Sequence, residues 1–407
     1  MTMQAGDVVG ERADVDWIRL SAGIDAANVP ALILCLYQMT GDAKWLEDPY
    51  KPARERGIDN NDSGGLSATA QAEVREAAKV AIAAWLNGRP LALPRPDDAT
   101  LAHMRQISMH EPVPAEYGQI IAAGMKLDGP RAPEPLAGLR AIIIGGGISG
   151  IAAAVEMKHR GVDYLVLEKN DDLGGTWWEN RYPGCGVDTP NLTYTFSFAP
   201  NDWKKYFPLR EEIDAYVRDT ARQYGLYERT RLSTKVEQAK WIEADQCWEV
   251  SAIGVDGVVE RHRAEILFSA VGILNIPKMP DIPGLDSFPG PVVHTSRWPD
   301  DLSLAGKRVA VVGNGASAMQ FVPEVADTVS QLTVFTRSKQ WAAPFPQFRR
   351  DVPDEVRYLT SLVPLYRDWF EQRLAWVFND RLYDTMFKDP EWSDPRSISR
   401  VNDRHRG

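Results

Sequence analysis

Two glycine-rich turns, each followed at a fixed interval by a charged residue, contain the residue types in this sequence that are best suited to chemistry. In the first turn, Gly145, Gly147 and Gly150 form a G-x-G-x-x-G pattern, and Glu168 follows Gly147 by 21 residues. Glycines at this spacing allow a tight turn, close backbone approach to a pyrophosphate, and close helix–strand packing. An acid at that distance accepts hydrogen bonds from ribose hydroxyls. The first turn therefore predicts a dinucleotide site.

The second turn has the same form but is followed by a residue of opposite charge. Residues 313–318 read GNGASA, with Ala318 in the place of the third glycine, and Arg337 follows Gly315 by 22 residues. A cation at this position pairs with a 2′-phosphate through charge-assisted hydrogen bonds, so NADPH is the expected reductant. The residues predicted to bind this nucleotide are Gly313, Gly315, Ser317, Ala318, Arg337 and Ser338.

Each turn lies between elements that would position it. Short β-branched runs precede both turns and are typical of buried parallel strands. The predicted elements are strand 139–144, helix 151–160 and strand 164–167 around the first turn, and strand 308–312, helix 319–326 and strand 332–335 around the second. A glycine pattern alone is weak, but this order of strand, turn, helix, strand and charge argues against a turn that binds nothing. We predict an α/β fold with two Rossmann-like dinucleotide-binding domains.

A long loop after the first unit contains further residues suited to a cofactor. Residues 172–188 contain the pair Gly174-Gly175, two adjacent tryptophans and Asp188. The glycine pair permits close backbone approach, and Trp177 offers a flat face to an aromatic ring. The stretch GGTWWENRYPG, with Asp188 and a later YTFSF, resembles the type I Baeyer–Villiger monooxygenases. In that family the GGTW segment wraps the FAD, and the matching aspartate lies near the flavin and the nicotinamide.

A second segment carries the same resemblance. Phe288, Gly290, His294, Trp298 and Pro299 fit the family fingerprint F-x-G-x-x-x-H-x-x-x-W-P. The sister N- and S-oxygenating flavin monooxygenases usually have Tyr or Phe in place of the tryptophan, without the following proline, so the pair favours the Baeyer–Villiger type. A histidine between domains offers switchable donors that could couple domain rotation to the flavin. A linker histidine that caps backbone groups is the other interpretation of its role.

The resemblance implies a reaction and a set of flavin contacts. FAD, NADPH and O2 would be used to insert one oxygen atom beside a ketone carbonyl, giving an ester or lactone by way of a C4a-peroxyflavin. Asp188 would be catalytic, with a partner arginine beyond Gly407, although it could also be an ordinary loop-capping residue. No metal is expected. The residues assigned to FAD are Gly145, Gly147, Gly150, Glu168, Gly174, Gly175, Thr176, Trp177, Arg181, Asp188, Tyr194 and Val236.

Three alternatives concern the activity. The family continues past position 407 with the catalytic arginine and the strands that close both domains, so we expect a C-terminally truncated member. The first alternative is therefore a non-oxygenating fragment that binds FAD and NADP, and the second is an N- or S-oxygenating flavin monooxygenase. A pyridine-nucleotide disulfide reductase shares the architecture, but it needs a redox cysteine pair beside the flavin and Cys185 stands alone.

Composition limits the class of protein. The 407 residues have a formal net charge of −10, which disfavours nucleic acid or an anionic membrane as a general partner. Three scattered cysteines argue for a reducing compartment without a disulfide framework. The first 16 residues lack the apolar core of a signal peptide, and no apolar stretch approaches about 18 residues. A cytoplasmic protein is expected.

The N-terminal region is predicted to be mainly helical and separate. Helices are expected over 30–39, ending at Gly41, and over 70–85, capped by Ser67. No histidine spacing indicates a metal site. Such an extension resembles that of the 4-hydroxyacetophenone monooxygenase branch, where it is associated with dimer contacts; a homodimer and an aryl ketone are carried over as what that branch would imply. The predicted domains are the extension 1–130, an FAD domain 136–285 and an NADP domain with a helical insertion 286–407.

Between and after the two turns the predicted elements are simpler. Tyr358, Leu362, Tyr366 and Phe370 share one helical face, for which core packing is favoured over a substrate wall. The other predicted elements are helix 210–225, strands 232–236, 247–253 and 258–264 of a small meander, and a strand in 265–272 that returns the chain to the first domain.

Overall fold

The computed structural model describes residues 15–54, 61–129, 133–136, 138–340, 342 and 345–381. Its α-helices are α1 (Trp17–Asp25), α2 (Val29–Thr40), α3 (Ala68–Leu86), α4 (Asp98–Met109), α5 (Tyr117–Gly124), α6 (Ile148–His159), α7 (Thr176–Glu179), α8 (Arg210–Gln223), α9 (Ala316–Val325), α10 (Asp354–Leu362) and α11 (Pro364–Ala375). Its strands are β1 (Arg140–Ile144), β2 (Asp163–Leu167), β3 (Thr230–Arg231), β4 (Lys235–Ile242), β5 (Cys247–Ile253), β6 (Val259–Ala264), β7 (Ile266–Ser269), β8 (Arg308–Val312) and β9 (Gln331–Phe335).

The described residues form two compact units. One takes its residues from 1–131, 189–207 and 342–407, and the other from 132–188 and 208–341. This differs from the predicted boundaries, which placed 286–407 in one NADP domain. The reason lies in the core of the helical unit, because the fully buried side chains of Tyr366 and Trp369 in α11 pack in the same cluster as α1 to α4.

The helical unit is held by one large apolar core. Helix α2 is buried along nearly its whole length, and α11 packs against it. Two hydrogen bonds cross this contact: the Asn28 amide donates to Tyr366 Oη at 3.0 Å, and Trp369 Nε1 donates to Gln38 Oε1 at 2.9 Å. The four residues predicted to share one helical face belong to this core, as favoured over a substrate wall, but they lie on two helices because α10 ends at Leu362 and α11 begins at Pro364.

Local signals set the ends of the predicted N-terminal helices correctly. Asn28 caps α2 by accepting from the Ala31 amide at 3.0 Å, and Gly41 ends the helix with φ of 70°. Ser67 caps α3, as its side chain accepts from the Ala70 amide at 3.2 Å. A side-chain oxygen at the N-cap and a left-handed glycine at the C-terminal end satisfy backbone groups that a helix leaves unpaired.

The second unit contains a parallel sheet of order β3-β2-β1-β7. Strand β1 pairs in parallel with both β2 and β7, which explains why its central residues Ala141, Ile142 and Ile143 are buried. The antiparallel meander β4-β5-β6 contributes Val250 and Ala252 to a small core shared with this sheet. These features confirm the predicted α/β class for the first dinucleotide unit.

Three predicted elements of this unit are misplaced, one of them helix α6, which begins at Ile148 rather than at residue 151. The strand expected over 232–236 is wrong: β3 ends at Arg231, and β4 runs on to Ile242. Residues 237–241 are polar or exposed, so no apolar alternation marked the strand, and a register shift near Val236 disturbs the pattern further. Helix α9 begins at Ala316, three residues before the predicted start, and accommodates Pro323 within its last turns.

The second dinucleotide unit is smaller in the structure. Its sheet consists of β8 and β9 paired in parallel, with α9 between them in sequence. Val312 and Phe335 at the carboxyl ends of these strands are 63% and 58% exposed. Among the described helices, none is by itself both long and apolar enough to cross a membrane, although the bent pair α1 and α2 meets that length and composition when taken together.

Candidate functional site

The first glycine turn is closely packed. Gly145 has φ of 102°, and a Cβ there would lie 2.5 Å from the Ala270 carbonyl oxygen, so both conformation and space require glycine. A Cβ on Gly150 would lie 1.9 Å from the Gly145 carbonyl oxygen. Gly147 begins α6, which has no side-chain cap and no acid in its first turn. The N-terminal amides of α6 are therefore available to an anion.

Glu168 lies at the end of β2 and is only 3% exposed. Its Oε2 accepts from the Gly146 amide at 2.5 Å, and its Oε1 accepts from the Asn170 amide at 2.8 Å. The carboxylate thus fixes the glycine turn itself, an interaction that the spacing did not predict. Each carboxylate oxygen has a second lone pair, so a further donor such as a ribose hydroxyl can still be accepted.

The loop after β2 folds back onto the first turn. The Gly174 amide donates to the Gly146 carbonyl at 3.0 Å, and a Cβ on Gly175 would lie 2.8 Å from Gly147 Cα. Thr176 is exposed at the start of α7, whereas Trp177 is 6% exposed and its ring is covered by protein. The predicted flat face of Trp177 is therefore not presented at the surface, because the short α7 turns this side chain inward.

The second glycine turn has the same backbone form in an open setting. Gly313 has φ of 107°, and its amide donates to the Phe335 carbonyl at 2.9 Å. A Cβ on Gly313 or Gly315 would meet nothing within 4 Å among the described residues. Arg337 is exposed directly after β9, and the neighbouring Ser338 carbonyl accepts from Asn314 Nδ2 at 3.0 Å. The arginine thus lies at the same edge as the turn.

The fingerprint segment, residues 288–299, contacts helix α9 of the second dinucleotide unit. The Trp298 ring packs against Phe321 of α9, with ring centroids 5.6 Å apart, and Phe288 and Pro299 are exposed. His294 Nδ1 accepts from the Ser296 amide at 3.2 Å and so caps the short 3-10 helix Thr295–Arg297. The structure therefore shows a backbone-capping histidine, while a part in domain coupling stays a prediction.

A polar junction joins the Asp188 loop to α9. The Tyr182 hydroxyl donates to Gln320 Oε1 at 2.8 Å, and Gln320 Nε2 donates to the Gly186 carbonyl at 3.0 Å. Burial raises the pKa of Tyr182; a hydrogen bond with Ser317 acts in the opposite direction, and the charge of Asp188 adds to the rise. Ser317, predicted for the second nucleotide, is thus near the loop predicted for the first.

Two ion pairs lie beside this junction. Arg181 Nη1 is 3.1 Å from Asp300 Oδ2, and Arg297 Nη1 is 3.2 Å from Glu179 Oε2. Burial raises the pKa of Glu179, but the hydrogen bond and charge of Lys169 outweigh it and leave that pKa lowered. Arg181 was predicted to bind a cofactor; in the structure its ion pair with Asp300 connects two loops.

Four residues of this junction and of the ion pair beside it were not predicted from the sequence: Tyr182 and Gln320 in the junction, and Glu179 and Arg297 in the ion pair. Glu179 and Tyr182 lie inside the GGTWWENRYPG stretch and Arg297 lies inside the fingerprint, so the motifs contained a signal for them. Gln320 lay in a predicted helix with nothing to distinguish it. Cys185 is a free thiol whose pKa burial raises to about 11, which is unsuited to thiolate chemistry.

Two predicted flavin contacts, Val236 and Tyr194, lie on other elements. Val236 is partly buried in β4 and packs against the small core that includes Val250. Tyr194 follows the 3-10 helix Asn191–Thr193 and belongs to the helical unit. Asp188 is exposed at the end of its loop.

Several known proteins are similar to this chain in sequence or in structure. The chain is 42% identical to the uncharacterized monooxygenase y4iD of Sinorhizobium fredii over 392 residues, which is 95% of this chain and 59% of that protein. It is 43% identical to a Baeyer–Villiger monooxygenase of Streptomyces coelicolor over 208 residues, 51% of this chain and 39% of that protein. The crystal structure of OTEMO in complex with FAD and NADP is similar with a TM-score of 0.51 and 34% identity, covering 57% of this chain and 44% of that one.

The chain spans 59% and 39% of the lengths of these two relatives. The family described as pyridine nucleotide-disulphide oxidoreductase matches residues 142–357, more than half of the chain and both glycine turns. Among the described residues, Cys35, Cys185 and Cys247 are free, buried thiols. The chain therefore belongs to the pyridine nucleotide-disulphide oxidoreductase family.

Proposed function

We propose that this chain binds FAD at the first glycine turn and NADPH at the second, as part of a monooxygenase that inserts one oxygen atom of O2 beside a ketone carbonyl. The observation that carries the proposal is the junction at Gln320, because it connects the loop of Asp188 to the helix after the second turn. Two dinucleotide turns serving one reaction need such proximity. The names of the relatives support the same reaction class.

The first turn fits FAD by its own geometry. A Cβ on Gly147 would lie 3.4 Å from Gly175 Cα, an ordinary contact, and its absence leaves the backbone open to the approach of a pyrophosphate. The uncapped amides of α6 supply donors, and Glu168 supplies acceptor oxygens close to the same turn. These residues would hold the pyrophosphate and the ribose of FAD.

The second turn fits NADPH through charge. Helix α9 begins at Ala316 after the N-cap residue Gly315, without a side-chain cap or an acid in its first turn, which suits a pyrophosphate. The exposed Arg337 would pair with the 2′-phosphate that distinguishes NADPH from NADH. Ser317 also lies near Tyr182, so its side chain would contact both the nucleotide and the loop that carries Asp188.

The cofactors supply the difficult chemistry when bound: FAD takes a hydride from NADPH and activates O2. The protein binds and orients them and keeps water from the reacting atoms. We propose that Asp188 places a negative charge beside the flavin and holds a cationic partner there. FAD and NADP binding without oxygen insertion is the alternative function.

A spectroscopic titration tests the proposal. The purified chain is mixed with FAD, desalted and scanned, and NADPH or NADH is then added without oxygen. Bound flavin that is bleached faster by NADPH than by NADH supports both cofactor sites, and ester formed from a ketone in air supports the full reaction. Bleaching without ester would favour the non-oxygenating alternative, whereas N-oxide or S-oxide products from amines or sulfides would favour the sister class. Protein that retains no flavin would reject the FAD assignment for this chain.

The finer assignments are a 4-hydroxyacetophenone-type enzyme, an aryl ketone substrate and a homodimer formed through the N-terminal helices. They are supported by the helical core that α1 to α5 form together with α10 and α11, and by a relative that aligns over 95% of the chain. Light scattering would give the oligomeric state, since a monomeric mass rejects the homodimer. A panel of aryl and alicyclic ketones would test the substrate class.

A further inference from the structure

We infer that Gln320 is a positioning residue: it ties the loop of Asp188 to α9, so that a nucleotide on α9 stiffens the backbone that carries Asp188. This inference rests on the proposed function for the identity of the nucleotide, but not for the tie itself. Gln320 lies 134 residues from Gly186 in sequence, and the two are joined by direct hydrogen bonds.

The contacts account for the choice of glutamine. Its Nε2 donates to the Gly186 carbonyl at 3.0 Å, while its Oε1 accepts from the Tyr182 hydroxyl at 2.8 Å and from the Gly186 amide at 3.4 Å. One side chain therefore satisfies both backbone groups of a single residue. Only a primary amide offers a donor and an acceptor in this arrangement, since a carboxylate cannot donate.

The position of Gln320 on α9 connects this tie to the proposed nucleotide site. Gln320 follows Ser317 by one helical turn, so the two side chains lie on one face of the helix. Tyr182 interacts with both, and it is buried. A pyrophosphate at the start of α9 would restrain the first turn of the helix, and Gln320 would extend that restraint to Gly186, two residues before Asp188.

The neighbouring ion pair cannot replace this tie. Arg181 and Asp300 meet at the surface, where solvent screens the pair and its contribution is small. Gln320 instead bonds a buried tyrosine and a partly buried backbone segment, where an unsatisfied carbonyl or amide is costly. The tie should therefore decide the local order of 186–188 in a way that the flanking pair does not.

Hydrogen–deuterium exchange of the full FAD-supplemented chain tests the inference, with NADP+ as the probe. In Gln320→Met, exchange at 186–188 should rise about tenfold without nucleotide, because two hydrogen bonds that hold the segment are lost. Gln331→Met, the same change at an exposed residue of β9, should leave 186–188 unchanged. Tyr182→Phe keeps the Gly186 bonds and should give a smaller rise. An unchanged exchange rate at 186–188 in Gln320→Met would overturn the tie.

The measurements with NADP+ distinguish a positioning role of Gln320 from a purely stabilising one. In the unsubstituted chain, NADP+ should slow exchange at both 316–320 and 186–188, and in Gln320→Met only at 316–320. Slowing at 186–188 that persists in Gln320→Met, or that never occurs in the unsubstituted chain, overturns the coupling. If NADP+ slows neither segment in the unsubstituted chain, the proposed nucleotide site and the coupling both fail, while the nucleotide-free comparison still decides whether Gln320 holds the loop.

Discussion

The two glycine turns are nearly identical in backbone but differ in their surroundings. Gly145 and Gly313 have φ of 102° and 107°. The amide of each donates at 2.9 Å to a carbonyl at the end of the next strand, Leu167 in one case and Phe335 in the other. These shared features follow from glycine and from strand pairing, so they are local.

The surroundings depend on how many strands are present. Strand β1 has a parallel neighbour on each side, and β7 brings the Ala270 carbonyl against Gly145. Strand β8 pairs with β9 alone among the described strands, and no described atom comes within 4 Å of a Cβ built on Gly313. The comparison teaches that the motif specifies the turn, whereas neighbouring strands determine how much a change in it costs. The same substitution should therefore have unequal effects in the two units.

The largest effect is expected for Gly150→Ala. Its Cβ would lie 1.9 Å from the Gly145 carbonyl oxygen, so the turn and α6 must separate, at a cost of about 3 kcal/mol or more. The second dinucleotide unit has Ala318 at the position that corresponds to Gly150. The matched change there, Ala318→Gly, should lower the free energy of unfolding by only about 1 kcal/mol. Urea unfolding followed by circular dichroism and retention of FAD would measure both. Equal losses in the two variants would contradict the difference in packing.

The next comparison is Gly145→Ala with Gly313→Ala. Both replace a glycine of positive φ, which costs about 1–2 kcal/mol for any L-residue with a side chain. Only Gly145→Ala also brings a Cβ against the Ala270 carbonyl oxygen, which should add about 1–3 kcal/mol. The difference between their urea midpoints isolates the packing contribution. If Gly313→Ala is destabilised as much, the second turn is more enclosed than its structure indicates.

A third comparison concerns the charged residue after each turn. Arg337 is exposed, so Arg337→Ser should change stability by no more than about 0.5 kcal/mol. Losing a charge-assisted bond to the 2′-phosphate should nevertheless reduce the preference for NADPH over NADH about 10- to 100-fold. Flavin reduction rates with the two nucleotides give that ratio, and Arg308→Ser, another exposed arginine of this unit, is the control. An unchanged ratio would reject Arg337 as the 2′-phosphate residue.

Local patterns account for what the sequence predicted. Strand β8 and the turn after it were predicted correctly, since β-branched runs and glycine spacing are properties of a few neighbouring residues. The packing of α11 in the helical unit was not predicted, because periodicity reveals a buried face without naming what covers it. The bond between Tyr182 and Gln320 joins residues 138 apart, and no local rule indicates such a partner. Strand β4 was placed wrongly because most of its residues are exposed, so its sequence lacks a regular apolar alternation.

The smallest effect on stability is expected for the residue that begins the first strand of each dinucleotide unit. Arg140 opens β1, and its side chain and backbone amide both hydrogen-bond Glu265, which lowers the pKa of that carboxyl to about 2. Arg308 opens β8 and has no carboxylate partner among the described residues. A lowered carboxyl pKa contributes stability above the ordinary pKa, near 4.5 for glutamate, and that stability is lost as the pH falls towards 2.

Arg140 is 54% exposed and Glu265 32% exposed, so solvent screening should keep this contribution below about 1 kcal/mol. Arg140→Met should lower the thermal midpoint slightly at pH 7 and flatten its decline between pH 4.5 and 2, because the charge that stabilised the ionised carboxyl is gone. Arg308→Met should leave both the midpoint and its pH dependence unchanged. An equal flattening in both variants would mean that the acid sensitivity comes from net charge rather than from the Arg140–Glu265 pair. Strand β1 would then have no electrostatic stabilisation that strand β8 lacks.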